Sequence, residues 1–229
     1  LKWRLVSLQG DVKRRGQLYT RDQAQVDWQG VLGEATVDVI RVASVAGAEF
    51  NKRLSVRLNE CYGVDVKFAS TALEQAGVIN SYEDPSRMGV DRWLAMIAAR
   101  KENEGDLVVI DLGSAITVDY LAKSGQHDGG YIVPGLAMMR KSLGQTTEQV
   151  GLSGGKGKKI TPGSDTNSCV DHGVMRLVVD FVQSVVDENA EKAQVFITGG
   201  DSKQICAKIF GDYEISESLV LRGLQHCFD

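Results

Sequence analysis

The sequence predicts an α/β protein of two units with a cleft between them, and three observations carry the prediction. A strand, an amphipathic helix and a second strand follow one another over residues 37–68, an order that implies parallel pairing. Three hairpin-connected strands then occupy residues 107–133, followed by helix, helix, strand and helix. Near residue 104 a β-rich segment gives way to this second pattern, which divides the chain into units 1–103 and 104–229.

Each element has its own signal. Residues 1–45 read as strands: Trp3-Arg4-Leu5-Val6-Ser7-Leu8, Val31-Leu32 and the stretch from Val37 are apolar or alternating, and Gly10, Gly16 and Gly30 punctuate them. Phe50, Leu54 and Leu58 recur every four residues, so 50–58 is a helix with a polar back. Val64-Asp65-Val66-Lys67-Phe68 alternates as a strand. Over 90–102, Trp93, Leu94, Ile97 and Ala98 form one helix face, with Arg92, Arg100, Lys101 and Glu102 elsewhere. Leu107-Val108-Val109-Ile110 is an apolar strand, 116–121 its hairpin partner, and Gly129-Gly130-Tyr131-Ile132-Val133 the third strand. Helices are expected over 136–143, 174–186 and 203–210, strands at 195–197 and 219–221, and a Gly/Lys loop at 151–163.

Composition narrows the class. With 43% hydrophobic and 24% charged residues the chain has the make-up of a soluble globular protein, not of a disordered or collagenous one. A net charge of −4 argues against a protein held to nucleic acid by phosphate contacts. Cys61, Cys169, Cys206 and Cys227 are far apart, with no C-x-x-C, and read as reduced thiols of a cytoplasmic protein without a zinc framework. No apolar run reaches the roughly 20 residues of a membrane span, so no membrane partner is expected.

Three short segments can carry chemistry. In Asp111-Leu112-Gly113-Ser114 a strand ends in a carboxylate, a glycine permits a sharp turn, and a hydroxyl follows. Turn amides and a hydroxyl cradle phosphate oxygens while the carboxylate holds a cation, although the tetrapeptide alone also suits an ordinary hairpin turn. In Thr198-Gly199-Gly200-Asp201 a strand runs through two glycines into a helix, a place where an anion can lie against backbone amides, or a plain capped turn. Gly89-Val90-Asp91-Arg92-Trp93 opens a helix with a carboxylate and a guanidinium, able to act on a substrate or to serve as cap and surface charge. The Gly/Lys loop is not a Walker A motif, because G-x-x-x-x-G-K-[ST] is absent. His127, His172 and His226 show no catalytic or metal spacing.

In order, Gly89-x-Asp91-Arg92-Trp93, Asp111-Leu112-Gly113-Ser114-Ala115-Ile116-Thr117, Gly129-Gly130-Tyr131-Ile132-x-Pro134-Gly135 and Thr198-Gly199-Gly200-Asp201 resemble the type III pantothenate kinase family of the actin-like kinase superfamily. The resemblance spans nearly the whole chain. It implies two actin-like (ribonuclease H-like) domains around an active-site cleft, and ATP-dependent phosphorylation of pantothenate, the first step of coenzyme A biosynthesis. It implies Asp91 as catalytic base, Tyr82, Gly89, Val90, Arg92 and Thr166 as pantothenate-binding residues, and Lys2, Ser114, Gly199 and Gly200 beside ATP and its Mg²⁺. Asp111 matches the ligand of a monovalent cation, K⁺ or NH₄⁺, and the family implies a homodimer. Ser114 stands where the family often has threonine, which keeps the hydroxyl.

The family opens with a strand and an Asp-x-Gly-Asn-[ST] phosphate loop. Leu1-Lys2-Trp3-Arg4 resembles the residues just after it, so such a strand and loop are expected ahead of Leu1. The alternatives are a regulatory accessory protein of the same fold and an actin-like kinase for another small alcohol. Gly-x-Asp-Arg-Trp speaks against the second, and the acidic charge against direct DNA binding.

Overall fold

A computed structural model describes residues 2–7, 9–17, 28–32, 35–146 and 159–228. Strands β1 (Lys2–Val6) and β2 (Val12–Gln17) form an antiparallel ribbon. After the short helix α1 (Trp28–Leu32) come β3 (Ile40–Val42), α2 (Ala48–Tyr62) and β4 (Val66–Phe68), with β3 and β4 parallel as their order implies. Leu54 and Leu58 of α2 are buried with Trp28, and Gly63 ends the helix in a left-handed conformation, its N–H donating to the Asn59 carbonyl at 2.7 Å. A small hairpin, β5 (Glu74–Gln75) and β6 (Val78–Ile79), leads to α3 (Val90–Glu102).

The second half is built on a five-stranded sheet. Strands β7 (Leu107–Leu112), β8 (Ala115–Leu121) and β9 (His127–Pro134) run antiparallel in sequence. Helices α4 (Leu136–Thr146) and α5 (Thr166–Asn189) follow, then β10 (Gln194–Thr198), α6 (Ser202–Cys206), β11 (Glu214–Ile215) and α7 (Leu219–His226). The strand order is β11-β10-β7-β8-β9, with β10 and β11 parallel to their neighbours. Both faces of β7 are covered, which is why it is apolar except at Asp111. Val108, Ile110 and Leu112 pack with Val174, Met175, Val178 and Val182 of α5, while Leu107 and Val109 pack with Trp93, Leu94 and Ile97 of α3.

Four expectations shift. Val31 and Leu32 belong to a helix, not a strand. Residues 219–221 begin α7 rather than a closing strand: an apolar run of three is too short to fix a period, and Leu219 and Gly223 are buried four positions apart on one helix face. Helix α5 starts eight residues before its apolar stripe, because Asp165 and Ser168 form a reciprocal capping box. Helix α6 stops at Cys206, short of 210. Of the Gly/Lys loop expected at 151–163, residues 151–158 lie outside the described residues. Among the described residues no helix is long and apolar enough to cross a membrane.

Helix α7 lies so close to α3 that a Cβ on Gly223 would overlap the Leu94 backbone. Helix propensity alone favours alanine over glycine by about 1 kcal/mol. Here overpacking reverses the sign, and Gly223→Ala is expected to destabilise the protein by about 1–3 kcal/mol, read as a lower urea midpoint. A higher midpoint would show that α7 does not rest on α3 in this way.

Candidate active site

One cleft of about 1180 Å³ is lined by Lys2, Asp91, Arg92, Asp111, Gly113, Ser114, Gly199 and Gly200. These come from four places in the sequence: the start of β1, the first turn of α3, the β7–β8 hairpin and the turn after β10. The sheet and α3 bring them together. Asp111 is the last polar position of β7 and lies in register with Thr117 on β8 and Thr198 on β10. All three line the cleft, since register partners share a face.

The two glycine turns are clamped to one another. Gly199 adopts φ +101°, and a Cβ there would strike the Leu112 backbone. The Asp201 N–H donates to the Leu112 carbonyl at 3.0 Å, and the Gly135 N–H to the Ser114 carbonyl at 3.0 Å. The Pro134-Gly135 segment thus supports the hairpin that carries Ser114. A Cβ on Gly113 would lie 3.2 Å from Asp111 Oδ1, so this glycine gives the carboxylate room.

Asp91 sits in the first turn of α3, where the helix dipole favours a carboxylate. Its Oδ1 accepts the Arg92 N–H at 2.9 Å. A Cβ on Gly89 would come within 2.6 Å of that oxygen, which explains a glycine one residue before Val90. Asp111 is pushed up to about 6, first by burial, then by the like charge of Asp91, with Lys2 opposing. A carboxylate raised by burial and by a neighbouring like charge fits a bound cation, which would relieve both effects at Asp111. Among the described residues no cluster of three or more His, Cys, Asp or Glu could hold a metal. Backbone and hydroxyl oxygens would have to complete a shell at Asp111, a donor set suited to a hard cation rather than zinc.

Arg92 is not a surface charge. It is 5% exposed, and burial, which alone would lower its pKa, is outweighed by Asp119 and Tyr82 so that it is raised. Its Nε and Nη2 donate to the two Asp119 oxygens at 3.1 and 2.5 Å, and its Nη1 donates to the Tyr82 hydroxyl at 2.8 Å. Tyr82 is aimed by Asn80, whose Oδ1 accepts the Tyr82 N–H at 3.0 Å. Trp93 is fully buried and donates to Gln75 at 3.1 Å.

Tyr82, Gly89 and Val90 adjoin Asp91 and Arg92 without lining the cleft, and Thr166 lies apart from it. Thr166 lines a second groove of about 1080 Å³, between α4 and α5, with Met138, Met139, Leu143 and Leu177. Sequence reading missed Asp119 and His127, which are 1% exposed beneath Arg92. Asp119 shares the α3-facing side of β8 with Leu121, opposite Ile116 and Val118, so strand alternation alone marked it as outward.

Comparison with known proteins bears on this cleft. A family model described as type III pantothenate kinase matches residues 1–188. The chain belongs to the type III pantothenate kinase family. A family member from Hahella chejuensis is 39% identical over 225 residues, covering 98% of this chain and 91% of the relative. One from Marinobacter nauticus is 34% identical over 228 residues, covering 98% and 92%. Among solved structures, a putative 2-dehydro-3-deoxygalactonokinase from Sinorhizobium meliloti matches with a TM-score of 0.55 at 12% identity, over 99% of this chain and 92% of that one. A conserved putative Baf family transcriptional activator from Campylobacter jejuni matches with 0.55 at 24%, over 85% and 84%. At these identities the likeness is one of fold, the actin-like kinase fold expected from the motifs.

Proposed function

We propose that the protein phosphorylates pantothenate at its primary hydroxyl with ATP, giving 4'-phosphopantothenate, as a cytoplasmic enzyme of coenzyme A biosynthesis. The observation that carries this reading is the meeting of Asp91, Asp111, Lys2 and the Gly199-Gly200 turn in one cleft, in a chain of this family. Asp91 accepts the hydroxyl proton as the oxygen attacks phosphorus, a task for a positioned base. Lys2, Ser114 and the amides of the two glycine turns face the phosphates, where positioning and charge neutralisation dominate the barrier. A monovalent cation bound at Asp111, K⁺ or NH₄⁺, would offset phosphate charge. Tyr82, Gly89, Val90 and Arg92 hold pantothenate.

The same reading divides the chain into units 1–103 and 104–229, with α3 packed on the second sheet as the wall beside the cleft. It also adds a strand ahead of Leu1. In the second unit, β7 joins the antiparallel pair β8–β9 to the parallel pair β10–β11. The first unit has the matching pairs, β1–β2 and β3–β4, as separate two-stranded sheets. Trp3, Ile40, Val42, Phe50 and Leu54 line the space beside them. A strand of about ten residues between β1 and β3 would complete a five-stranded sheet and deliver an Asp-x-Gly-Asn-[ST] loop opposite Asp111.

A homodimer belongs to the reading too. Tyr131 and Ile132 on the edge strand β9 are more than half exposed, and the groove holding Thr166 is apolar. A second copy seated there would account for a substrate-contacting Thr166 away from its own chain's cleft. The test is ADP release from ATP by the full-length chain, with a panel of small alcohols and acids. Pantothenate is expected to be the preferred acceptor. Equal rates with a sugar acid, or none with any acceptor, would overturn the proposal in favour of another kinase or a regulator.

A further inference from the structure

Beneath the substrate side of the cleft lies a buried polar chain that no step above uses. The Asp119 carboxylate takes two bonds from Arg92, and its Oδ1 also lies 3.0 Å from His127 Nε2. His127 Nδ1 lies 2.8 Å from Ser81 Oγ. Asp119 and His127 are each 1% exposed. An ionised carboxylate only accepts, so Nε2 carries the hydrogen toward Asp119, and in that tautomer Nδ1 accepts from the Ser81 hydroxyl.

The chain of contacts is therefore Ser81–His127–Asp119–Arg92–Tyr82, and it closes on itself because Ser81 and Tyr82 are neighbours in sequence. It joins four separate elements: the loop after β6, α3, β8 and β9. The surrounding glycines fit it closely. Gly130 pairs with Asp119 in the sheet, and a Cβ there would strike the Val118 carbonyl and come within 2.9 Å of Asp119 Oδ1 and 3.1 Å of Arg92 Nη2.

Arg92 spends three of its five N–H groups on Asp119 and Tyr82 and lines the cleft. Left to rotamer freedom, a side chain this long would sample many poses. The closed ring of bonds leaves it one. We propose that Asp119 and His127 are positioning residues that hold Arg92 and Tyr82 in the geometry that receives the acceptor substrate. His127 ties the loop bearing Tyr82 to the carboxylate that orients Arg92. This rests on the reading of Arg92 and Tyr82 as substrate contacts, and it makes His127 specific to the acceptor rather than to ATP.

Three substitutions separate the two ends of the ring. Glutamine places an amide N–H where Nε2 stands and can keep the bond to Asp119. Asparagine reaches only the Nδ1 position and keeps the bond to Ser81. Leucine keeps neither. In the full-length protein, His127→Leu is expected to raise the KM for pantothenate roughly ten- to a hundredfold, the scale of a misplaced contact, with the KM for ATP unchanged. His127→Asn should resemble leucine, and His127→Gln should recover most of the loss. Equal shifts in both KM values, or no shift, would overturn the proposal.

A substrate-free readout keeps this apart from the identity of the substrate. The Arg92 Nε–H, bonded and buried, should give a slowly exchanging ¹⁵N-coupled proton signal that persists in His127→Gln and is lost in His127→Leu. If wild type fails to phosphorylate pantothenate, the proposed function falls. The guanidinium signal then still decides the positioning role, its survival in His127→Leu counting against it.

Discussion

Replacing Asp91 by asparagine is expected to leave the fold and pantothenate binding intact while lowering turnover by roughly 10²–10⁴-fold, the usual contribution of a general base. The exchange is isosteric. The amide can still lie in the first turn of α3, and its oxygen can still accept the Arg92 N–H that Asp91 Oδ1 accepts at 2.9 Å. What it loses is the ability to take a proton and the negative charge that helps raise Asp111. Calorimetric pantothenate binding close to wild type, together with a collapsed kcat, is the expected pair of results. A kcat near that of wild type would remove Asp91 from the chemistry.

Asp111 carries the second large effect, on activity and on stability at once. Its folded pKa of about 6 lies above the ordinary 3.8, first because of burial and then because of Asp91. A raised carboxylate favours the fold most where it is protonated. The stabilisation is fully present below about 3.8 and is lost as pH rises through about 6. Above that pH the folded protein carries a buried charge costing on the order of 2–3 kcal/mol. Asp111→Asn removes the charge. In potassium-free buffer the variant is therefore expected to gain stability over wild type above pH 6, and to lose that gain toward pH 4. Potassium should narrow the difference by stabilising wild type alone, and the variant should lose most activity together with its response to K⁺. Parallel urea midpoints for the two proteins from pH 4 to 8 would contradict the buried-charge reading, and equal wild-type rates in sodium and potassium would contradict the cation site.

The contrast between these residues and the ring beneath Arg92 shows what a sequence displays and what it hides. Asp91, Asp111 and the glycines at 199 and 200 sit at the ends of elements, where backbone turns demand particular residues and the pattern is local. β7 and α3 were legible because apolar periodicity over a full element leaves little choice. The burial of Arg92 was not, because the helical period placed it off the apolar face. Its partner Asp119 lies 27 positions away on a strand that reaches it only through the sheet. Long-range ion pairing leaves no local trace, and alternation with Ile116 and Val118 puts Asp119 on the other face of its strand. Helix α7 reads as a strand for a related reason: its period is set by packing on α3, through Gly223, and not by the apolar run 219–221. Thr166 was matched by motif alone, and only the fold reveals that it faces a different groove from Asp91.

The most direct test of the central claim, that this cleft joins the primary hydroxyl of pantothenate to a phosphoryl group beside Asp91, is the ³¹P spectrum of the product made by the full-length chain from ATP and pantothenate. A phosphate ester on the primary hydroxyl couples to the two protons of the adjoining methylene, and that resonance is expected to appear with wild type and to be nearly absent with Asp91→Asn. A resonance coupled to a single proton would place the phosphate on the secondary hydroxyl, and inorganic phosphate alone would mean hydrolysis. Either would contradict the assignment of Asp91 as the base that serves the primary alcohol.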